Sequence, residues 1–420
     1  MFHFAVIANL LLGLALAQKE LKCEITSGCD VCYIEGVLTE VTERTENEYL
    51  NIGDLNLTSI KPGAFKNLTI ERFRVLRGNQ ISTLSLGAFA GLAKLRFFYL
   101  DDNVVKLIPD LFRELSVLII LSLRSNKINH IPNGSFNGLA ELKYLHLENN
   151  DIPVINELTF QGLQKLEYLS LESNKIAHVS SGSFSSLEKL GILDLDMNYL
   201  TEIEHNTFNG LLKLKYLYIK NNKIGTIDSS SFLGLNNLLE KLETLKLGKN
   251  KIADIAPESF ANLVELETLE LNSNKLTEIR PDIFIGLSKL RYLYLNDNKI
   301  VTIHSSAFIG LNSLWMVDLS RNEISDIRTL AFEGLSSVKN IRLYHNKINS
   351  LPSGLFAGLF ELEYLYLANN TLTEIDRTNI QLSASSSNSA ITTEKRSSFG
   401  TWVSSRGHID FLKCRIERCG

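Results

Sequence analysis

The sequence predicts an α/β repeat solenoid, a curved horseshoe with a parallel β-sheet on its concave face and a mostly irregular or short-helical convex side. Three observations carry that expectation. An asparagine recurs from Asn79 to Asn370 at steps of 24 residues, broken only by a step of 23 before Asn126 and one of 28 before Asn250. In nearly every unit, apolar residues sit at minus 5, minus 3, plus 2 and plus 5 from it, with a phenylalanine near plus 10 and leucines near plus 13 and plus 16. An earlier segment, YLNIGDLNLTSIKPGAF, fits the same frame with Leu55 in the asparagine position, which makes about fourteen units over residues 49–375. A fixed period of this length means that each unit is one supersecondary piece stacked on the next.

The physics of one unit explains the offsets. In LRYLYLN, alternate residues face opposite sides of a short strand, so Leu293 and Leu295 point inward while Tyr292, Tyr294 and Asn296 point outward. Asn298 ends the strand. Its amide carries donors and an acceptor, so stacked units place these side chains in a ladder that satisfies the backbone where it turns. Ile300 and Ile303 bring the chain back over the core, and the phenylalanines from Phe65 to Phe356 form a buried spine behind it. No unit buries its apolar face alone, so each is stabilised by its neighbours.

The ends differ from the array. Residues 1–17 read as a signal peptide, an apolar run closed by Ala15-Leu16-Ala17 that leaves Gln18 as the mature start. No other stretch has the length and apolarity of a transmembrane segment, so a secreted, extracellular protein is expected. Four sequons, at Asn56, Asn67, Asn133 and Asn369, agree with that compartment. All five cysteines lie outside the repeats: Cys23, Cys29 and Cys32 in an N-terminal cap of residues 18–48, and Cys414 and Cys419 in the tail. Terminal caps stapled by disulfides are expected where a solenoid exposes its ends in an oxidising compartment. Pairing within each group leaves one N-terminal thiol over, which predicts a disulfide-linked homo- or heterodimer. Residues 376–398 are Ser/Thr-rich and read as a flexible linker, followed by a tail or irregular cap over 399–420. The four extra residues in LNNLLEKLETL, 235–245, read as a loop insertion or one helical turn.

The repeats, as in LEYLSLESNKIAHVSSGSFSSL and LETLELNSNKLTEIRPDIFIGL, resemble the typical extracellular class of leucine-rich repeats found in Toll-type receptor ectodomains, in insect adhesion proteins such as chaoptin and connectin, and in mosquito leucine-rich immune proteins. The resemblance implies recognition of a protein or glycan by the concave face, without catalysis, in innate immunity or cell adhesion. Two other roles share the same pattern: the regulatory subunit of a secreted enzyme, and the ectodomain fragment of a membrane receptor.

The residues give no sign of catalysis. The sequence holds no G-x-S-x-G, H-E-x-x-H, G-x-x-x-x-G-K-[ST] or G-x-G-x-x-G, and neither a cofactor nor a metal is expected. DLDMN at 194–198 lacks the glycine and distal glutamate of a calcium loop. A net charge of −4 argues against nucleic acid.

The candidate partner-binding residues are the outward ones. Of thirteen tyrosines, Tyr99, Tyr144, Tyr168, Tyr216, Tyr218, Tyr292, Tyr294, Tyr364 and Tyr366 fall at minus 6 or minus 4 from the asparagine, and Tyr344 at minus 2. Tyrosine favours strands and stacks between neighbours, and it is also the residue of recognition surfaces. The charges on the same face are segregated. Glu148, Glu172, Asp194 and Asp196 give an acidic patch, followed at once by Lys220, Lys246 and Lys249, with His146 and Arg342 also among the outward candidates. Such polarity orients a partner of complementary charge.

Overall fold

A computed structural model describes residues 20–45, 49–66, 68, 72–73, 76–235, 242–373 and 390–392. The signal peptide, Asn67, the insertion at 236–241 and both tail cysteines therefore lie outside the described residues. Each repeat contributes one main strand, which in most repeats ends four residues before the asparagine, and these strands pair in parallel. The described residues fall into two compact units, one reaching Pro153 and including Leu158–Leu169, the other formed by Val154–Glu157 and the residues from Ser170 onward.

The first unit opens with an antiparallel meander, Lys22–Thr26, Cys29–Ile34 and Val37–Glu43. Val37–Glu43 then pairs in parallel with Ser59–Ile60, and that strand with Thr83–Leu84, so the meander covers the apolar end of the stack. The main strands follow as Tyr49–Leu50, Arg72–Phe73, Phe97–Tyr99, Ile120–Ser122 and Tyr144–His146, each paired in parallel with the one before. In the second unit the series runs Ile192–Asp194, Tyr216–Tyr218, Thr244–Lys246, Thr268–Glu270, Tyr292–Tyr294, Met316–Asp318, Asn340–Arg342 and Tyr364–Tyr366. Its register places Leu217, Leu245, Leu269, Leu293, Val317, Ile341 and Leu365 side by side, all buried.

The return segments are turns that carry a second, two-residue strand in many repeats, such as Glu278–Ile279, Thr302–Ile303 and Asp326–Ile327, paired in parallel with one another. The expected short-helical return is thus corrected, and among the described residues one three-residue 3-10 helix, Leu233–Leu235, is the helical element. Every phenylalanine of the spine is buried, and consecutive rings lie almost parallel, as for Phe308 and Phe332 at 5.6 Å. The asparagine ladder forms as expected. Asn298 accepts the Leu276 N–H at 3.1 Å and donates to the carbonyls of Leu271 and Leu295 at 2.9 and 3.0 Å. One side chain thus joins two units while closing its own turn.

Two features depart from the sequence reading. Within the expected linker, Ala390–Thr392 forms a strand parallel to Tyr364–Tyr366. The last repeat would otherwise leave a row of unpaired N–H and C=O groups, and the β-branched Ile391 and Thr392 are suited to pairing with them. In the cap, Cys23 is joined to Cys32, which leaves Cys29 as the unpaired thiol. Cys29 is fully buried, and burial together with the nearby Glu43 and Asp30 carboxylates pushes its thiol up, away from the reactive thiolate. An intermolecular disulfide through Cys29 is thus corrected: the leftover thiol is a core residue, inaccessible to a partner.

Candidate partner-binding face

Outward side chains at minus 6, minus 4 and minus 2 are held by the strand pleat, and parallel register puts each column in line. In the first unit, Tyr144 is exposed and Tyr99, His146 and Tyr168 are half-buried. The Tyr168 ring lies 6.4 Å from Tyr144 and 5.1 Å from His146. His146 Nδ1 is 2.9 Å from Glu148 Oε1. Glu148 itself is buried, with its Oε2 lacking a hydrogen-bond donor and Arg124 Nε standing 3.8 Å away. The expected display of Glu148 on an acidic patch is therefore corrected: its charge is turned inward to His146 and Arg124.

In the second unit, Glu172, Asp194 and Asp196 are half-buried. Asp194 accepts the Asp196 N–H at 2.9 Å, and Asp196 accepts the Lys220 N–H at 2.5 Å. Burial raises the Asp196 carboxyl to about 7, with the Asp194 and Glu172 charges adding to the rise and Lys220 opposing it. The acidic patch is weaker near neutral pH than its formal charge. Across from it, Lys220 and Lys246 both reach Glu270, at 3.2 and 3.6 Å, and the Lys246 ammonium sits 4.7 Å over the Tyr218 ring. Tyr216 stacks obliquely on Tyr218 at 6.5 Å and donates to Glu243 at 3.1 Å. These tyrosines are partly occupied by their own neighbours.

The later strands present a different surface. Tyr292 and Tyr294 are half-buried, and Trp315, one position before the next strand, meets Tyr292 edge-on at 5.6 Å while remaining 44% exposed. Burial and the Glu270 carboxylate raise the Tyr294 phenol, so it stays protonated as a donor. Arg342 Nη1 is fixed 3.1 Å from the buried Asp318, which also accepts from the Ser320 N–H at 3.0 Å. Further along, Tyr364 is exposed and stacks on Tyr366 at 6.4 Å, and Tyr344 meets His345 at 5.6 Å.

Trp315 is the residue that sequence reasoning missed. It lies at minus 7, outside the columns taken as outward. The signal was present: this column is mostly charged, and several of its residues pair between repeats, as Lys143 with Glu167 at 2.7 Å and Lys339 with Glu363 at 2.8 Å. Trp315, between Arg291 and Lys339, is the aromatic residue of that column. Of the sequons, Asn56, Asn133 and Asn369 are exposed. Among the described residues no group of His, Cys, Asp and Glu is arranged to hold a metal, and no helix is long and apolar enough to cross a membrane.

The leucine-rich repeat family model matches residues 48–105, 102–152, 145–200, 188–240, 237–276, 264–324 and 316–372. The chain belongs to the leucine-rich repeat family. Among solved structures this leucine-rich repeat chain is similar to one in the "Crystal structure of TLR13-ssRNA13 complex", with a TM-score of 0.72 and 27% identity, covering 83% of this chain and 50% of that one. It therefore spans about half the length of that relative. It also shares its fold with a chain of the "Octameric complex of Latrophilin 3 (Lec, Olf), Unc5D (Ig, Ig2, TSP1) and FLRT2 (LRR)", with a TM-score of 0.53 and 24% identity over 73% of this chain and 84% of that one. No curated protein sequence matches.

Proposed function

We propose that this protein is a secreted, noncatalytic recognition solenoid that binds an extracellular protein or glycan through the outward face of its parallel sheet, in a role of innate immunity or adhesion. The observation that carries the reading is the cluster of Trp315, Tyr292, Tyr294 and Arg342. Trp, Tyr and Arg are the residues in which interface energy concentrates. Here the two rings brace each other edge-on, Arg342 is pre-oriented by Asp318, and little side-chain freedom is left to lose on binding. The likeness to a chain crystallised with single-stranded RNA supports ligand recognition by such an array. A polymer that stacks its bases on the aromatic columns is the competing ligand class.

The test is a crosslinking pull-down from the extracellular fluid of the source, using the full chain and a Trp315→Ala/Tyr292→Ser variant. A partner held by the first and lost from the second, with unchanged melting, supports the reading. Equal retention by both contradicts it. Ribonuclease-sensitive retention would move the ligand to RNA, and enzymatic activity copurifying with the chain would favour the regulatory-subunit role.

A further inference from the structure

A line of lysines runs beside the sheet, apart from the aromatic face. Lys223, Lys251, Lys275 and Lys299 each follow the ladder asparagine of four consecutive units, and all are exposed. Their backbones are locked in register: Lys251 N–H donates to Ile224 O at 2.9 Å, Lys275 to Ile252 O at 2.8 Å and Lys299 to Leu276 O at 3.0 Å. Adjacent lysines therefore start about 5 Å apart, the spacing of hydrogen-bonded strands. Exposed Lys249 lies beside them, one residue before Asn250.

Some lysines elsewhere are paired with a carboxylate of the preceding repeat, as Lys289 with Glu265 and Lys347 with Glu323, both at 2.5 Å. Among the described residues none of these five lysines has such an ion pair; Lys223 instead covers the Tyr199 ring at 4.2 Å. Of the acids nearest along the chain, Asp254 and Glu278 are turned to other residues, whereas Asp297 keeps its charge. Asp254 binds Arg280 at 2.5 Å, Glu278 binds His304 at 2.9 Å, and exposed Asp297 accepts from Asn296 at 2.6 Å. The column two residues further on, Gly225, Ala253, Thr277 and Val301, is uncharged. Glu323, paired with Lys347, closes the line beyond Lys299. A chain of net charge −4 thus carries a local run of lysines without direct ion pairs, tempered at the Lys299 end by the Glu323 and Asp297 charges.

We propose that this lysine line binds a linear sulfated polysaccharide. Like charges held in register repel one another, and an anionic polymer laid along the stack removes that repulsion without requiring the protein to move. Lysine acts on anions as a point charge, suited to sulfates spaced along a flexible chain. Base-stacking aromatics, the mark of a single-strand nucleic-acid groove, are missing along the line; Tyr199 lies only at its end, beneath Lys223. The site is separate from the Trp315 cluster, so either can fail without the other.

The test is heparin binding by the full chain at neutral pH, read both by salt elution from immobilised heparin and by affinity for a size-defined heparin oligosaccharide. Lys251→Ser/Lys275→Ser/Lys299→Ser should weaken the oligosaccharide by about 10-fold or more, since three exposed charge contacts of up to ~1 kcal/mol each are lost. A charge-matched control, Lys94→Ser/Lys106→Ser/Lys189→Ser, should elute with the parent. Melting curves establish that all variants are folded. Equal weakening by both lysine triples would reduce the effect to net charge and overturn the proposal, as would no loss in the first triple. Single-stranded RNA displacing heparin more effectively than a charge-matched heparin oligosaccharide would also overturn it.

Discussion

Asp196 shows how far a side chain's chemistry departs from its letter. The sequence reads it as one of several outward acids, whereas partial burial lifts its carboxyl from 3.8 to about 7. The folded state therefore holds the proton more tightly than the unfolded one, so this group's contribution to stability falls as pH rises from about 4 to about 7. Asp196→Asn keeps an acceptor for the Lys220 N–H and removes the titration. The variant should melt at a temperature that is flatter across this window than the parent's, and at or above it at pH 8; thermal scans at several pH values check this. Cys29 makes a second prediction at the same scale. Buried and protonated, it should resist alkylation in the native protein and react only after denaturation, with the folded chain running as a monomer on nonreducing gels unless the tail cysteines pair between chains. The odd cysteine count is legible in the sequence, but the fold decides which thiol is left and whether it reacts.

At the scale of the repeat, the ladder asparagine and the residue before it do different work. Asn298 is buried and serves backbone groups of two units, so Asn298→Ala strands donors and acceptors in the core and should cost about 2–4 kcal/mol in chemical denaturation. Asn296→Ala, two residues away and half-buried, should cost far less. The preceding residue takes a left-handed conformation in every unit, from Asp54 at φ 59° to Asn369 at φ 55°. Asn, Asp, Ser and Gly fill most of these positions, which suits residues that tolerate this region. Met197, at φ 56° and 51% exposed, is an exception. Met197→Asn should stabilise the chain by about 0.5–1 kcal/mol, a part of the ~1–2 kcal/mol cost of that conformation. The strand, turn and spine were legible because one pattern repeats and each position has one burial state. The strand at Ala390–Thr392 was hidden, because its pairing depends on the open edge it meets and not on its own composition. Trp315 was hidden because it lies outside the pleat that the alternation describes.

For the whole molecule, the family and the solenoid follow from periodicity, while the ligand does not: a repeat specifies its core, and the outward residues are free to vary. Two surfaces in the second unit stand apart from that freedom, the Trp315 cluster and the lysine line. The account of the first is that Trp315, Tyr292 and Tyr294 are there for a partner and Leu293 for the fold. The decisive measurement sets two variants side by side, Tyr292→Ser/Tyr294→Ser and Leu293→Ala, each followed by denaturation and by binding to the captured partner. The tyrosine pair should lose roughly 2–4 kcal/mol of binding with little change in stability, and Leu293→Ala should lose about 2–5 kcal/mol of stability through a core cavity. If the tyrosine variant unfolds as readily as the leucine variant while its folded fraction binds normally, the tyrosines are structural ladders and the recognition face lies elsewhere.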